Sequence, residues 1–307
     1  MLKIRESFKQ GNIDKNIYWQ EMFYYHEKLL EYKELLKDNG TIKNIKFDKN
    51  FLYVTLFNGL EFFWDPNDLR SPVSVAVNNG EYEEKEINFI SCLIKDAEII
   101  FDIGANVGWF SLHLSKFLQN QNPEIHAFEP VKSTFVNLDK NIKLNNKDNI
   151  KAYNFGFGQE NTKIKFFVPK KTGSVAASMQ NILNEECLEQ ECEIKKLDDF
   201  VNDNNIKQID FLKCDVEGAE LLVIKGGLEI LNEFKPIIFL EMLRKWSAKF
   251  NYHPNDIIFI LKNLGYSCYS FAQNKLVEID LIDEQTIDTN FLFLSKIKHN
   301  NIIEKFI

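Results

Sequence analysis

Glycine and proline are scarce, 13 and 7 residues in a chain of 307. That excludes collagen-like and Pro/Gly-rich disordered architectures. The five cysteines (Cys92, Cys187, Cys192, Cys214, Cys268) are odd in number and contain no CxxC pair. They read as reduced thiols of a cytoplasmic protein. No metal site is read at Cys187 and Cys192, because no histidine or further cysteine lies near them. A basic excess is also missing: 37 Lys and Arg stand against 45 Asp and Glu, a net charge of −8. This argues against nucleic acid as a partner, since such binding rests on many cationic contacts to phosphate. No apolar run is long enough to predict a transmembrane helix. The first residues, Met1 to Ser7, lack the apolar stretch of a secretory signal.

What is present falls into three stretches. Residues 13–38 predict an amphipathic packing or dimerisation helix, with Ile17, Phe23, Leu29, Leu30 and Leu36 at helical spacing. Asn39-Gly40 is a fitting stop, with glycine expected in the left-handed conformation. Residues 41–64 switch to a shorter period. They predict three strands of a small antiparallel meander, with Asn58-Gly59 as a type I′ hairpin turn. Residues 65–80, with Pro66, Pro72 and Asn78-Asn79-Gly80, read as a connecting loop. From residue 81 onward strands and helices alternate. Strands are predicted at 98–103, 124–128, 150–155, 209–214, 236–241 and 291–295. Helices are predicted at 82–95, 107–119, 131–145, 217–231 and 254–264. The expected organisation is therefore a helix-plus-meander unit over 1–80 and an α/β domain over 81–307. That domain should hold a mostly parallel sheet covered by helices on both faces. Ligands in such sheets bind beyond the carboxyl ends of the strands.

The first of those ends carries Asp102-Ile-Gly-Ala-Asn-Val-Gly108 and runs into a helix. Small residues and a helix N-terminus there allow close approach of a ligand. A dinucleotide fingerprint fails: with Gly104 as the first glycine, Asn106 and Trp109 occupy the other two glycine positions. A nicotinamide oxidoreductase is accordingly disfavoured. The second strand ends in Glu129-Pro130, about 20 residues past Gly108, where a carboxylate can bind both ribose hydroxyls. The fourth ends in Asp215-Val-Glu217-Gly218. Those two carboxylates could orient a cofactor ammonium, abstract a proton or hold a divalent cation. They could equally cap the following helix.

Together, Asp102–Gly108, Ala127-Phe-Glu-Pro130 and Lys213-Cys-Asp-Val-Glu-Gly-Ala-Glu220 resemble the FkbM family of S-adenosylmethionine-dependent methyltransferases. Supporting matches are Gly80-Glu-Tyr-Glu83, Leu197-Asp-Asp-Phe200 and Pro236-Ile-Ile-Phe-Leu-Glu241. The resemblance implies a Rossmann-like fold with a seven-stranded sheet and methyl transfer, mostly to hydroxyl oxygen. It implies that Gly104, Ala105, Asn106 and Gly108, on the segment from Asp102, line the methionine part of S-adenosyl-L-methionine, with S-adenosyl-L-homocysteine as product. Glu129-Pro130 would hold the ribose and Phe155-Gly156 would border the adenine, with Asn154 and Gln159 as rival contacts.

Deprotonating a poorly nucleophilic hydroxyl calls for a general base. The candidates are Asp215, then Glu241, then His253, with Glu217 as a cation or substrate ligand. Asp215, Glu217 and Glu241 are also oxygen ligands hard enough for Mg²⁺. His113 and His126 read as structural. Lys170, Lys171, Arg244, Lys245 and Trp246 sit near the ligand edge and suit a phosphate-bearing acceptor, with Trp246 stacking on a sugar or base. The working expectation is an O-methyltransferase for a sugar or nucleotide-linked sugar, in surface polysaccharide synthesis. A secondary-metabolite hydroxyl and a non-catalytic binding protein are the alternatives. Residues 1–80 would cap the site, form a homodimer or dock a partner enzyme.

Overall fold

The structure, a computed structural model, describes residues 1–170 and 177–307. The N-terminal stretch forms α1 (Leu2–Lys9), α2 (Lys15–Lys37) and the meander β1 (Ile42–Phe47), β2 (Leu52–Leu56) and β3 (Glu61–Trp64). Asp14 caps α2 through its carboxylate. The apolar positions of α2 are not packed as their spacing predicts: no α2 residue is buried, and Phe23 and Leu30 are about 60% exposed. Among the described residues, the C-terminal end engages the body, through Leu36 and through Tyr32 edge-on to Trp64. The stop after α2 differs too. Gly40 is not left-handed. Instead the Asn39 side chain accepts from Thr41 N and Ile42 N and donates to the carbonyls of Ala76 and Val77.

The meander turn is not type I′, because Asn58 lacks the positive φ that turn demands. Gly59 alone is left-handed, at φ 89°, and closes a three-residue loop with Leu56 N donating to Leu60 O. Residues 65–80 hold a helix, α3 (Pro72–Asn79), where a loop was expected. Its signals were Ser71 as cap, Pro72 in the first turn and Gly80 as left-handed stop. The free edge of β3 is closed by Asn141 of α6 (Lys132–Leu144) and by Asn145, the residue that caps that helix. Phe63 N donates to Asn141 Oδ1 (2.9 Å) and Glu61 N to Asn145 Oδ1 (2.9 Å). Phe62 packs against Trp109 of α5 (Trp109–Phe117), ring centroids 4.9 Å apart and planes tilted by 30°, so the meander shares a core with the α/β unit.

That unit contains α4 (Glu84–Leu93), β4 (Ile99–Ile103), β5 (Glu124–Phe128), β6 (Ile150–Tyr153), β7 (Gly156–Gly158), β8 (Thr162–Pro169), β9 (Cys187–Lys196) and α7 (Leu197–Asp203). It continues with β10 (Phe211–Cys214), α8 (Glu220–Gly226), α9 (Leu228–Phe234), β11 (Ile237–Glu241), α10 (Arg244–Ser247), α11 (Pro254–Asn263), β12 (Tyr266–Ala272), β13 (Lys275–Ile279), β14 (Asn290–Ser295) and α12 (Asn300–Phe306). The main sheet runs β13-β12-β14-β11-β10-β4-β5-β6. It is α/β and its five strands from β11 to β6 are parallel, as their nearly unbroken apolar runs require. It has eight strands rather than the seven expected, because β13 folds back on β12. Gln273 and Asn274 supply that two-residue turn, both at positive φ. Strand order reverses between β4 and β10, which puts the ligand crevice beyond their C-terminal ends.

Two further departures shape the site. The segment before Leu197, for which no strand was predicted, contributes the β8–β9 hairpin of a second sheet, β7-β9-β8. Its alternating pattern turns Phe166, Cys192 and Ile194 inward against Val131. The predicted helix 217–231 divides into α8 and α9 at Gly226-Gly227. A Cβ on Gly226 would come within 2.0 Å of the Gly158 carbonyl oxygen, so only glycine permits this approach.

Candidate active site

A cavity of about 250 Å³ opens at the reversal between β4 and β10. Its first wall is the loop after β4. Gly104 N and Ala105 N both donate to the Phe128 carbonyl (3.0 and 2.9 Å), fastening the loop to the end of β5. Gly104 sits at φ 79°, and a Cβ there would lie 1.8 Å from the Asp215 carbonyl oxygen. The loop is thus wedged between β5 and β10 with no room for a side chain.

Glu129 follows β5 and is buried. It accepts from Asn106 N (3.1 Å) and Val131 N (2.8 Å). Burial pushes its carboxyl up to about 7, against the pull of those two N–H groups. Asn106 lies in the left-handed region at φ 50°, and its Oδ1 is buried without a hydrogen-bond partner among the described residues.

The floor is ionic. Lys213 Nζ lies 3.2 Å from Asp215 Oδ2 and 3.6 Å from Asp102 Oδ1, with almost no exposure. Ser111 Oγ donates to the other Asp102 oxygen at 2.5 Å. Burial works against the ammonium, but Asp215 and Asp102 hold Lys213 charged, above the ordinary lysine range. Above it, carboxyl oxygens of Asp215, Glu217 and Glu241 lie within 4.8 Å of one another. Burial first, then the Asp215 charge, raises both Glu217 and Glu241 well above the usual carboxylate range.

The turn presenting this cluster is tied by Glu220. One of its oxygens accepts from Val216 N (3.1 Å) and Gly218 N (3.0 Å), and the other accepts from Tyr252 Oη (3.0 Å). Asp215 and Glu217 therefore face the cavity instead of capping α8, and Glu220 satisfies the backbone in their place.

The structure brings Gly104, Ala105, Asn106, Glu129, Pro130, Gly156, Asp215, Glu217, Glu241 and Trp246 to one cavity. Other expected residues stand outside its lining. Asp102 lies beneath it as the partner of Lys213 and Ser111. Gly108 begins α5 at φ 86°. Asn154 braces the turn from behind, donating to the Glu129 and Pro130 carbonyls (2.9 and 3.1 Å). Phe155 packs among Phe128, Tyr153 and Phe200, leaving Phe157 beside Gly156 on the wall. Arg244 donates to the Glu284 carbonyl at 3.4 Å. His253 is exposed and caps α11, its Nδ1 accepting from Asn255 N. Lys170 pairs with Glu186, and Lys171 lies outside the described residues. His113 and His126 are buried, bound to the Trp109 carbonyl and to Glu124.

Sequence reasoning missed Arg70, Tyr82, Glu83 and the hairpin residues Phe166 and Ile194, all on the cavity wall. It also gave no role to Lys213 or Glu220. Both were visible inside the quoted motif. Arg70, Tyr82 and Glu83 precede the first parallel strand and reach the site only through tertiary packing.

A family model described as the methyltransferase FkbM domain matches residues 102–268, more than half of the chain. Methyltransferase 1 of Beauveria bassiana (strain ARSEF 2860) is 31% identical over 167 residues, covering 48% of this chain and 66% of that protein. Methyltransferase sdnD of Sordaria araneosa is 30% identical over 155 residues, covering 41% and 59%. The chain thus spans less than two thirds of either relative's length. Among solved structures, an FkbM methyltransferase from Methylobacillus flagellatus KT matches at 19% identity and TM-score 0.40, covering 64% of this chain and 44% of that one. A precorrin-6y C5,15-methyltransferase from Geobacter metallireducens GS-15 matches at 12% and 0.39, covering 69% and 86%. Both scores lie below 0.5, and the family assignment rests on the sequence match.

Proposed function

The chain belongs to the FkbM methyltransferase family, and from that premise we propose that it transfers a methyl group from S-adenosyl-L-methionine to a hydroxyl oxygen. The observation that carries the reading is the joining of the Gly104–Asn106 loop, Glu129 and the Asp215/Glu217/Glu241 cluster in one cavity. The cofactor fits the residues present. Asn106 Oδ1 is a buried acceptor awaiting a donor. Gly104 keeps the loop free of side-chain bulk. Glu129, already holding two backbone N–H groups, can still accept from ribose hydroxyls. Phe157, Phe166 and Ile194 offer an apolar slot for a flat base.

When bound, the cofactor supplies a methyl group already activated by its sulfonium. The protein's part is alignment and exclusion of water, which together save about 7–11 kcal/mol of barrier when reactants are well oriented. Asp215, anchored by Lys213, takes the acceptor proton, a contribution of about 10²–10⁴-fold. Glu217 and Glu241, raised by burial and by Asp215, keep their protons and donate to the acceptor oxygens. A divalent ion on the same three carboxyls is the competing arrangement, suited to a hard, oxygen-liganded cation.

The acceptor we favour is a sugar or nucleotide-linked sugar, as in surface glycan synthesis, with Trp246 on the cavity wall to stack on it. Arg244 does not line the cavity, and Lys171 lies outside the described residues. Residues 1–80 act as a cap, since Arg70 and Pro72 line the cavity.

The test is calorimetric titration with S-adenosylhomocysteine beside NAD⁺. Micromolar binding of the former, weakened at least tenfold by Glu129→Ala, is expected. Binding of NAD⁺ alone would overturn the reading. Turnover unchanged after exhaustive chelation would eliminate the metal.

A further inference from the structure

Eleven non-glycine residues of the described chain adopt positive φ, and seven of them are asparagines, which tolerate it. Glutamate does not share that tolerance, yet Glu83 (φ 52°) and Glu217 (φ 53°) are both left-handed, and both line the cavity. Glu217 is explained by the turn that Glu220 ties. Glu83 has no such local reason. It occupies the N-cap position of α4, where an extended Ser, Thr, Asp or Asn is usual, and its side chain makes no capping hydrogen bond. It lines the cavity beside Tyr82 instead, where burial raises its carboxyl to about 7 against the pull of Lys213. Retained strain of this kind concentrates where a site needs a side chain that the backbone does not favour.

We propose that Glu83, with the Tyr82 hydroxyl, is a specificity-determining contact for a second hydroxyl of the acceptor, so that the cavity selects a vicinal diol of a sugar ring. The inference rests on the methyl-transfer reading. One hydroxyl faces Asp215 and Glu241 and is methylated. Its neighbour donates to Glu83, and that hydrogen bond fixes which oxygen is presented. Glu83 enters from the segment before α4, outside residues 102–268, so it can set the acceptor without altering the cofactor loop.

The test uses the full chain, Glu83→Gln and Glu83→Asn, with methyl hexopyranosides and their monodeoxy counterparts as acceptors. S-adenosylhomocysteine affinity is measured first and should be the same within twofold in all three proteins. At pH 8, where its carboxyl is ionised, Glu83→Gln should lower kcat/KM on the intact sugar by about 10–100-fold, the scale of a charge-assisted hydrogen bond. It should cause no further loss on the deoxy sugar that lacks the neighbouring hydroxyl. Glu83→Asn should lose the same activity while melting a few degrees higher, because asparagine relieves the strain. An equal loss on intact and deoxy sugars would overturn the proposal, as would a lower melting temperature for Glu83→Asn. A wild type that binds S-adenosylhomocysteine but methylates no sugar would overturn it too. Absence of S-adenosylhomocysteine binding would instead sink the underlying methyl-transfer reading.

Discussion

Replacing Gly104 by alanine separates two physical effects that meet at one residue. At φ 79° an alanine is left-handed, which costs about 1–2 kcal/mol. Its Cβ would also lie 1.8 Å from the Asp215 carbonyl oxygen, 2.9 Å from that carbonyl carbon and 3.3 Å from Val216 Cγ1. The nearest atoms are backbone and cannot rotate away, so β4 and β10 must separate locally. Overpacking of this sort adds about 1–3 kcal/mol. Gly59→Ala is the control: φ is 89°, and a Cβ there meets nothing within 4 Å. It should show the conformational cost alone. Gly104→Ala should therefore lose about 2–5 kcal/mol and Gly59→Ala about 1–2, read by urea unfolding. Gly104→Ala should also weaken S-adenosylhomocysteine binding, because the displaced turn carries Asp215. If the two variants lose the same stability, the loop is not wedged against β10 and the reasoning fails.

Two other outcomes follow from buried groups. Asn141 is fully buried, donating to the Val107 carbonyl at 2.8 Å while accepting from Phe63 N. Asn141→Ala strands both backbone groups and should cost about 2–4 kcal/mol by urea unfolding, whereas a loss under about 1 kcal/mol would mean that water replaces the side chain. Burial raises the carboxyls of Glu129 and Glu220 to about 7 from an ordinary 4.5. Between those values the folded chain keeps protons on these two groups that the unfolded chain releases, so their contribution to stability should fall as pH rises from about 4.5 to about 7 and level off above, while Glu217 and Glu241, raised further, carry the fall to higher pH. Glu220→Gln keeps the acceptor for Val216 N and Gly218 N and should flatten that slope, and an unchanged slope would rule Glu220 out as its source.

The parallel strands and the helices between them were legible because each signal is local. A strand buried on both faces must be largely apolar, and β4, β5, β10 and β11 read that way apart from Asp102, Glu124, His126, Lys213 and Glu241. The glycine loop after β4, Glu129 and the Asp215/Glu217 turn were legible for a related reason: strand ends in such a sheet converge on one crevice. Less legible were short elements whose cues resemble loops. Helix α3 hid behind Pro72 and Asn79-Gly80, and β9 behind a run of charged residues with only Cys192 and Ile194 pointing in. Two turn assignments failed for conformational reasons. The meander placed its one left-handed residue at Gly59, and the two-residue left-handed turn arose at Gln273-Asn274 instead.

The sequence by itself determined the alternation of apolar strands with helices, the glycine that the loop after β4 requires, and the acidic residues at the strand ends. Those follow from residue size, backbone freedom and polarity read along the chain. Tertiary structure alone decided which charges meet. It sealed Lys213 between Asp102 and Asp215, drew Glu241 to Glu217, and swung Tyr82 and Glu83 into the cavity from before the first parallel strand. It also left His253 on the surface as a helix cap and Arg244 beside Glu284. Electrostatic partnership depends on distance and burial in three dimensions, and neither is encoded in the spacing of residues along the chain.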